Sequence, residues 1–211
     1  MSRSEHFAEI DRKKALAGDV HAAGSQDRRA LRTRRALHEA LIGLVVARNY
    51  DELTVGEIAD AANVGRSTFY AHYTSKDDLL RDGVSSLKAL LLSGLDEGAS
   101  GSKEPLAFSV VMTTHFGEQL DLYRGLMRGS AGPVVLKELR RVVGEVVRQE
   151  LARTLGGRSS EPVVQMVAGG YISLVTWWLD RGAKEPARDI ERAFRDYATA
   201  GLKSLRAERT R

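Results

Sequence analysis

The chain has 211 residues, of which 43% are hydrophobic and 28% charged, with a formal net charge of +4 and no cysteine. That composition can bury a full core, and its mild basicity permits a polyanionic partner without requiring one. The missing cysteines exclude disulfides and thiolate metal sites and fit a reducing compartment.

Residues 1–26 carry charges throughout, among them Arg3, Glu5, Asp11, Arg12, Lys13, Lys14 and Asp19, and have no apolar run. They are expected to form a flexible arm and not a secretory signal. Nowhere do consecutive apolar residues approach the roughly 18 of a membrane helix; a long run such as Leu41–Ala47 still includes Gly43. A cytoplasmic protein with no membrane partner is expected.

Beyond the arm, apolar residues recur at helical spacing and no alternating strand pattern emerges, so the fold class is all-α with about nine helices. A first helix is predicted over 27–48, with Leu37, Leu41, Leu44 and Val45 on one face. Short helices follow over 54–62 and 65–72. A long one starts at Ser75, with Leu80, Val84, Leu87, Leu91 and Leu95 four, three, four and four apart, and ends in a Gly/Ser-rich loop over 96–103. Later helices are predicted over 104–118, 119–129, 132–155, 162–181 and 186–206. The four prolines (105, 133, 162 and 186) all stand where a helix could begin, a position that tolerates their missing N–H. The expected organisation is a three-helix unit over 27–76, a larger helical domain over 77–206 and a frayed basic tail over 207–211.

The chemistry concentrates between Thr54 and Leu80. Thr54 with Glu57 makes a capping box, and Val55, Ile58, Ala59 and Ala62 then form an apolar stripe. Asn63 is suited to the turn because it tolerates the left-handed backbone. The following helix offers Val64, Phe69 and Tyr73 to the core. Two short helices around such a turn make a helix-turn-helix, whose second helix enters the DNA major groove. Ser75 with Asp78 repeats the capping logic at the long helix, with Lys76 in its first turn, where free N–H groups already attract anions.

These residues resemble the TetR family of transcriptional regulators. The family pattern T-v-x-x-I-A-x-x-A-x-V-s-x-x-t-F-Y-x-H-F-x-s-K-x-x-L is met at Thr54, Val55, Ile58, Ala59, Ala62, Val64, Thr68, Phe69, Tyr70, His72, Ser75, Lys76 and Leu79. Departures are Asn49 and Asn63 for turn glycines, Gly65 for a serine that would cap the recognition helix, and Tyr73 for phenylalanine, whose hydroxyl then needs water or phosphate. The resemblance implies that Tyr70, His72 and Lys76 hold phosphates with help from Thr54. It places Gly65 at the start of the helix, where a DNA contact is lost with the serine hydroxyl. Ser67, Ala71 and Thr68 would then face base edges. Arg66 would either read guanine O6 and N7 or contact a phosphate. Arg28, Arg29, Arg32, Arg34 and Arg35 at the start of the first helix read as a solvated face or as phosphate contacts.

The resemblance further implies a homodimer on an inverted-repeat operator of double-stranded DNA, released by an unknown small-molecule effector. Gly169, Gly170, Trp178, Ile190, Phe194 and Tyr197 are the candidate dimer contacts, since paired glycines in a helix suggest close packing; ordinary intrachain core is the alternative. Met112, His115, Phe116, Tyr123, Met127, Met166 and Trp177 could line an effector pocket, though such residues at helical spacing often form core. The five histidines show no His-x-x-x-His spacing, and neither Gly-x-Ser-x-Gly nor a phosphate-cradling glycine loop occurs. No metal, cofactor or enzymatic activity is therefore expected. The rival to a ligand-released repressor is a helix-turn-helix activator or architectural protein without a ligand.

Overall fold

The structure is a computed structural model that describes residues 25–98, 106–154 and 160–208. Most of the expected arm, residues 99–103 of the loop expected over 96–103, and residues 209–211 lie outside the described residues; residues 96–98, expected as loop, are helical. Among those described are nine α-helices, one 3-10 turn and no strand. In chain order they are α1 (Ser25–Ala47), the 3-10 turn Tyr50–Glu52, α2 (Val55–Ala61), α3 (Arg66–Tyr70), α4 (Lys76–Gly98), α5 (Phe108–Glu118), α6 (Leu120–Met127), α7 (Ala131–Thr154), α8 (Glu161–Asp180) and α9 (Ala187–Glu208). Prediction and structure agree on every helix to within a few residues at each end.

The chain divides into two compact units, the first reaching Leu90 and taking in Arg124–Glu138, the second formed by Leu91–Tyr123 and the chain from Leu139 onward. In the first unit the α1 stripe buries Leu37, Leu41 and Val45, and Tyr50, Leu53, Ile58, Ala59, Phe69, Tyr73, Leu79 and Leu80 are buried with it. Helix α2 packs on α1 and α3 on α2. Asn63 adopts φ 54°, and its N–H donates to Asp60 O at 3.0 Å while that of Val64 reaches Ala59 O at 2.9 Å. These paired bonds end α2 and turn the chain into α3. Asn49 behaves differently from the expectation of a turn residue standing in for glycine. It is extended (φ −64°, ψ 132°), and its side chain caps the 3-10 turn by accepting from the Asp51 N–H. Helix α6 lies close on α1: a Cβ at Gly125 would fall 2.8 Å from the Val45 carbonyl oxygen.

In the second unit, α9 packs on α5 and α8. Phe108, Tyr171 and Phe194, one from each, meet edge to face with centroids 4.9–5.9 Å apart. The Tyr171 hydroxyl, buried among them, shares a 2.8 Å hydrogen bond with Thr113. By length and composition α8 is apolar enough to cross a membrane, a property hidden from a search for unbroken apolar runs. Eight of its side chains, Val164 through Leu179, are buried, so it serves as a core helix with apolar surface to spare.

Candidate nucleic-acid interface

Helix α3 is only five residues long, too short to persist alone. It is held by Phe69, which is fully buried and stands 5.9 Å from Tyr73. Gly65 precedes it with no side-chain cap. Everything else on the helix faces outward: Gly65, Arg66, Ser67 and Ala71 are exposed, Thr68 and His72 half-buried, and Tyr70 is 59% exposed although it is aromatic. The expected base-reading and phosphate-holding residues of this stretch are thus gathered on one accessible surface.

The capping box before α2 is present in full, and Thr54 accordingly spends its hydroxyl on Glu57. Those bonds, backbone first, hold the Glu57 carboxyl at about 2, with Arg48 adding a 2.8 Å ion pair. Arg66 reaches back across α2, so that a Cβ at Gly56 would come within 2.5 Å of its guanidinium. Gly56 was not singled out from sequence, and nothing in its local spacing signals the approach. In α1, Arg28, Arg29, Arg32 and Arg34 are exposed, whereas Arg35 pairs with Glu39 at 2.9 Å. The first buried side chain of α1 is Leu37, so the turns carrying these arginines stand clear of the core.

Two side chains take roles other than those expected. Lys76 donates to the carbonyls of Tyr50, Asp51 and Leu53 at 2.8, 3.3 and 2.9 Å and stands 4.6 Å above the Tyr50 ring. All three of its donors are directed into the protein, where they satisfy the end of the 3-10 turn. The Tyr73 hydroxyl, expected to need water or phosphate, has a partner within the chain: it donates to Asp82 Oδ2 at 2.8 Å, beside the buried His38, whose Nε2 lies 3.3 Å from the same oxygen. Burial, then this bond to Asp82, raises the phenol's pKa.

In the second unit Met112, His115, Phe116 and Tyr123 are all buried, and the last three meet. Phe116 and Tyr123 are 4.4 Å apart edge to face, and the Tyr123 hydroxyl shares a 2.9 Å hydrogen bond with His115 Nε2. Met166 and Trp177 do not join them: they project from α8, 76% and 45% exposed. Met127 belongs to the first unit. The candidate dimer residues divide similarly. Trp178, with its indole N–H on the Glu185 carbonyl at 2.9 Å, Ile190 and Phe194 are buried within the chain. A Cβ at Gly169 or Gly170 would meet nothing within 4 Å, so no close packing within the chain explains that pair. Tyr197 is 84% exposed. Met166, Gly170, Leu174, Phe194, Tyr197 and Gly201 instead border an apolar groove of about 710 Å³ between α8 and α9.

Short paired helices around a left-handed turn, with one outward-facing polar helix, define a helix-turn-helix DNA-binding protein. Residues 38–82 match the family model of the bacterial regulatory proteins, tetR family. The chain is 24% identical over 187 residues to the uncharacterized HTH-type transcriptional regulator YxbF of Bacillus subtilis, covering 86% of this chain and 48% of that protein. It is 28% identical over 119 residues to the HTH-type transcriptional regulator TcmR of Streptomyces glaucescens, covering 56% of this chain and 51% of that one. It therefore spans about half the length of the curated relatives it matches. A TetR transcriptional regulator from Streptococcus agalactiae superposes with a TM-score of 0.58 at 26% identity, over 82% of this chain and 97% of that one. Thermus thermophilus FadR, a TetR-family repressor in complex with lauroyl-CoA, shares the fold with a TM-score of 0.60 at 20% identity, over 80% and 94%. Residues 38–82 thus carry the DNA-binding motif of the bacterial regulatory proteins, tetR family, and the chain is similar to HTH-type transcriptional regulators and shares their fold.

Proposed function

We propose that the chain is a homodimeric repressor that binds an inverted-repeat operator and is released by a small-molecule effector. The observation that carries this reading is the groove between α8 and α9. Exposed apolar patches of this kind mark interaction sites, and a two-fold dimer formed through this groove would carry two copies of α3. Successive major grooves lie roughly 34 Å apart, which requires the site to be an inverted repeat.

On the DNA, Ser67, Ala71 and Thr68 face base edges. Tyr70, His72 and Thr54 lie beside phosphates, with Gly65 allowing close backbone approach. Arg28, Arg29 and Arg32 supply flanking phosphate contacts, and Arg66 reads a base or a phosphate after swinging off Gly56. Lys76 is assigned to the fold. The dimer face is assigned to Gly169, Gly170, Tyr197, Met166 and the exposed edge of Phe194. The effector is assigned to the region of Met112, His115, Phe116 and Tyr123, where a hydrogen-bonded pair inside an apolar cluster could orient a ligand. The FadR structure with lauroyl-CoA makes that compound a reasonable first probe.

The test is light scattering on the purified chain together with selection of bound sequences from random DNA. A dimer that selects an inverted repeat supports the reading; a monomer at micromolar concentration, or no preference for any inverted repeat, overturns it. An activator is the second reading, since the dihydroxyacetone kinase operon activator DhaS shares the fold with a TM-score of 0.58. Transcription from a promoter carrying the selected site, with and without the protein, separates the two.

A further inference from the structure

The 3-10 turn Tyr50–Glu52 is held from two sides. On one, the Lys76 ammonium gathers two of its carbonyls and that of Leu53 just after it, and the Tyr50 hydroxyl donates to Asp77 at 2.5 Å. The turn is thereby fixed to the start of α4, directly after α3. On the other side, the Asp51 carboxylate accepts the Ser130 N–H, at 3.1 and 3.3 Å to its two oxygens, and also the Ser130 hydroxyl.

Ser130 immediately precedes α7. A helix start needs an acceptor for its free N–H groups, and a neighbouring residue normally provides it. Here the Ser130 side chain turns away to donate, and a residue 79 positions earlier in the chain accepts instead. Gly129 makes the arrangement possible: its φ of +75° presents Ser130 to the turn, and a Cβ there would collide with the Asp51 carboxylate. Both latch residues are exposed, so burial of a core side chain does not account for the geometry.

We infer that Asp51 is a positioning residue for DNA binding: its carboxylate latches the first turn of α7 to the turn that carries α4, and so holds the helix-turn-helix in its binding attitude without touching DNA. The inference rests on the DNA-binding reading of α3. Gly129 and Ser130 belong to the same device, the glycine by its backbone and the serine by its two donors.

The experiment uses the full chain, its selected DNA site and the variants Asp51→Ala, Ser130→Ala, Asp51→Asn and the double alanine variant, each confirmed folded by circular dichroism at the assay temperature. Asp51→Ala is expected to weaken DNA binding roughly 5- to 10-fold, the scale of one ordinary net hydrogen bond, with the salt dependence unchanged because no phosphate contact is removed. Ser130→Ala should weaken binding in the same direction, and the double variant should fall short of the summed effects, because the two residues share one interaction. Asn keeps an acceptor oxygen and caps helices about as well as Asp, so Asp51→Asn should bind close to wild type. Wild-type affinity in Asp51→Ala, whatever its melting temperature, overturns the proposal, and so does a flattened salt slope. Amide hydrogen exchange separates this from failure of the DNA reading. Even if the wild type selects no DNA site, Asp51→Ala must speed exchange at Ser130 and at residues 50–53 together; faster exchange at Ser130 alone also overturns the latch.

Discussion

The surface of α3 and the groove between α8 and α9 are both open, and they are built of opposite chemistry. The α3 surface presents Arg66, Ser67 and Tyr70 over a single buried anchor, Phe69. The groove presents Met166, Leu174 and Tyr197 over a continuous core that includes Tyr171 and Phe194. Polar exposure is ordinary and acquires meaning from the helix-turn-helix beneath it. Apolar exposure on this scale has meaning without a motif, because a monomer gains nothing by leaving it in water. The two surfaces also differ in how their support fails: α3 depends on one side chain, whereas the groove rests on two long helices.

That difference can be broken deliberately. The largest effect is expected from Phe69→Ala, which empties the anchor of α3 and should cost about 3–5 kcal/mol. Chemical denaturation should show the loss of stability, and DNA binding should vanish with it. Next is Met166→Glu, a charge placed on an already exposed groove position. It should leave the melting temperature nearly unchanged, turn the dimer into a monomer by light scattering, and weaken DNA binding by roughly 100-fold, the scale of an interface hot spot. A dimer that survives this substitution would show that the groove is not the contact.

Lys76→Ala should destabilise the first unit by about 1.5–3 kcal/mol, the range for hydrogen bonds to a charged group. Because its donors face the 3-10 turn, the salt dependence of DNA binding should keep its slope. A drop of about two units in the log–log slope per dimer would instead return Lys76 to the phosphates.

The smallest effect concerns Glu150, a buried carboxylate of α7 that accepts the Phe108 N–H at 3.0 Å. Burial pushes its pKa from 4.5 up to about 7, against the opposing pull of the Phe108 and Leu106 N–H groups. The folded state therefore holds this proton more tightly than the unfolded chain does. The group's contribution to stability is greatest below pH 4.5 and declines as pH rises towards 7. Glu150→Gln keeps an acceptor without the charge, so it should remove that decline and exceed wild type by about 1–3 kcal/mol at pH 8. Melting curves from pH 5 to 8 test this, and parallel curves for the two proteins would refute it.

The sequence by itself determined what lies within reach of a few residues. Helical periodicity placed every described helix. Thr54 and Glu57 announced their capping box three residues apart, and Asn63 its left-handed turn, because those interactions close over one turn of backbone. Periodicity also showed that Trp177 and Trp178 stand on different faces of their helix, and that Ile190, Phe194 and Tyr197 share one stripe. It could not say which face meets a neighbour: Trp178 and Ile190, open between dimer face and intrachain core, are core, while Met166 and Trp177, open between pocket lining and core, are exposed. Only the tertiary structure decided the partners of Lys76, 23 to 26 residues away, and of Asp51, 79 away. It likewise decided where the Tyr73 hydroxyl goes and why Gly56 lies under Arg66. Such contacts exist once the core has brought distant segments together, and a lone lysine or aspartate at a helix start has the same local signature whether its charge ends on DNA or on a carbonyl of its own chain.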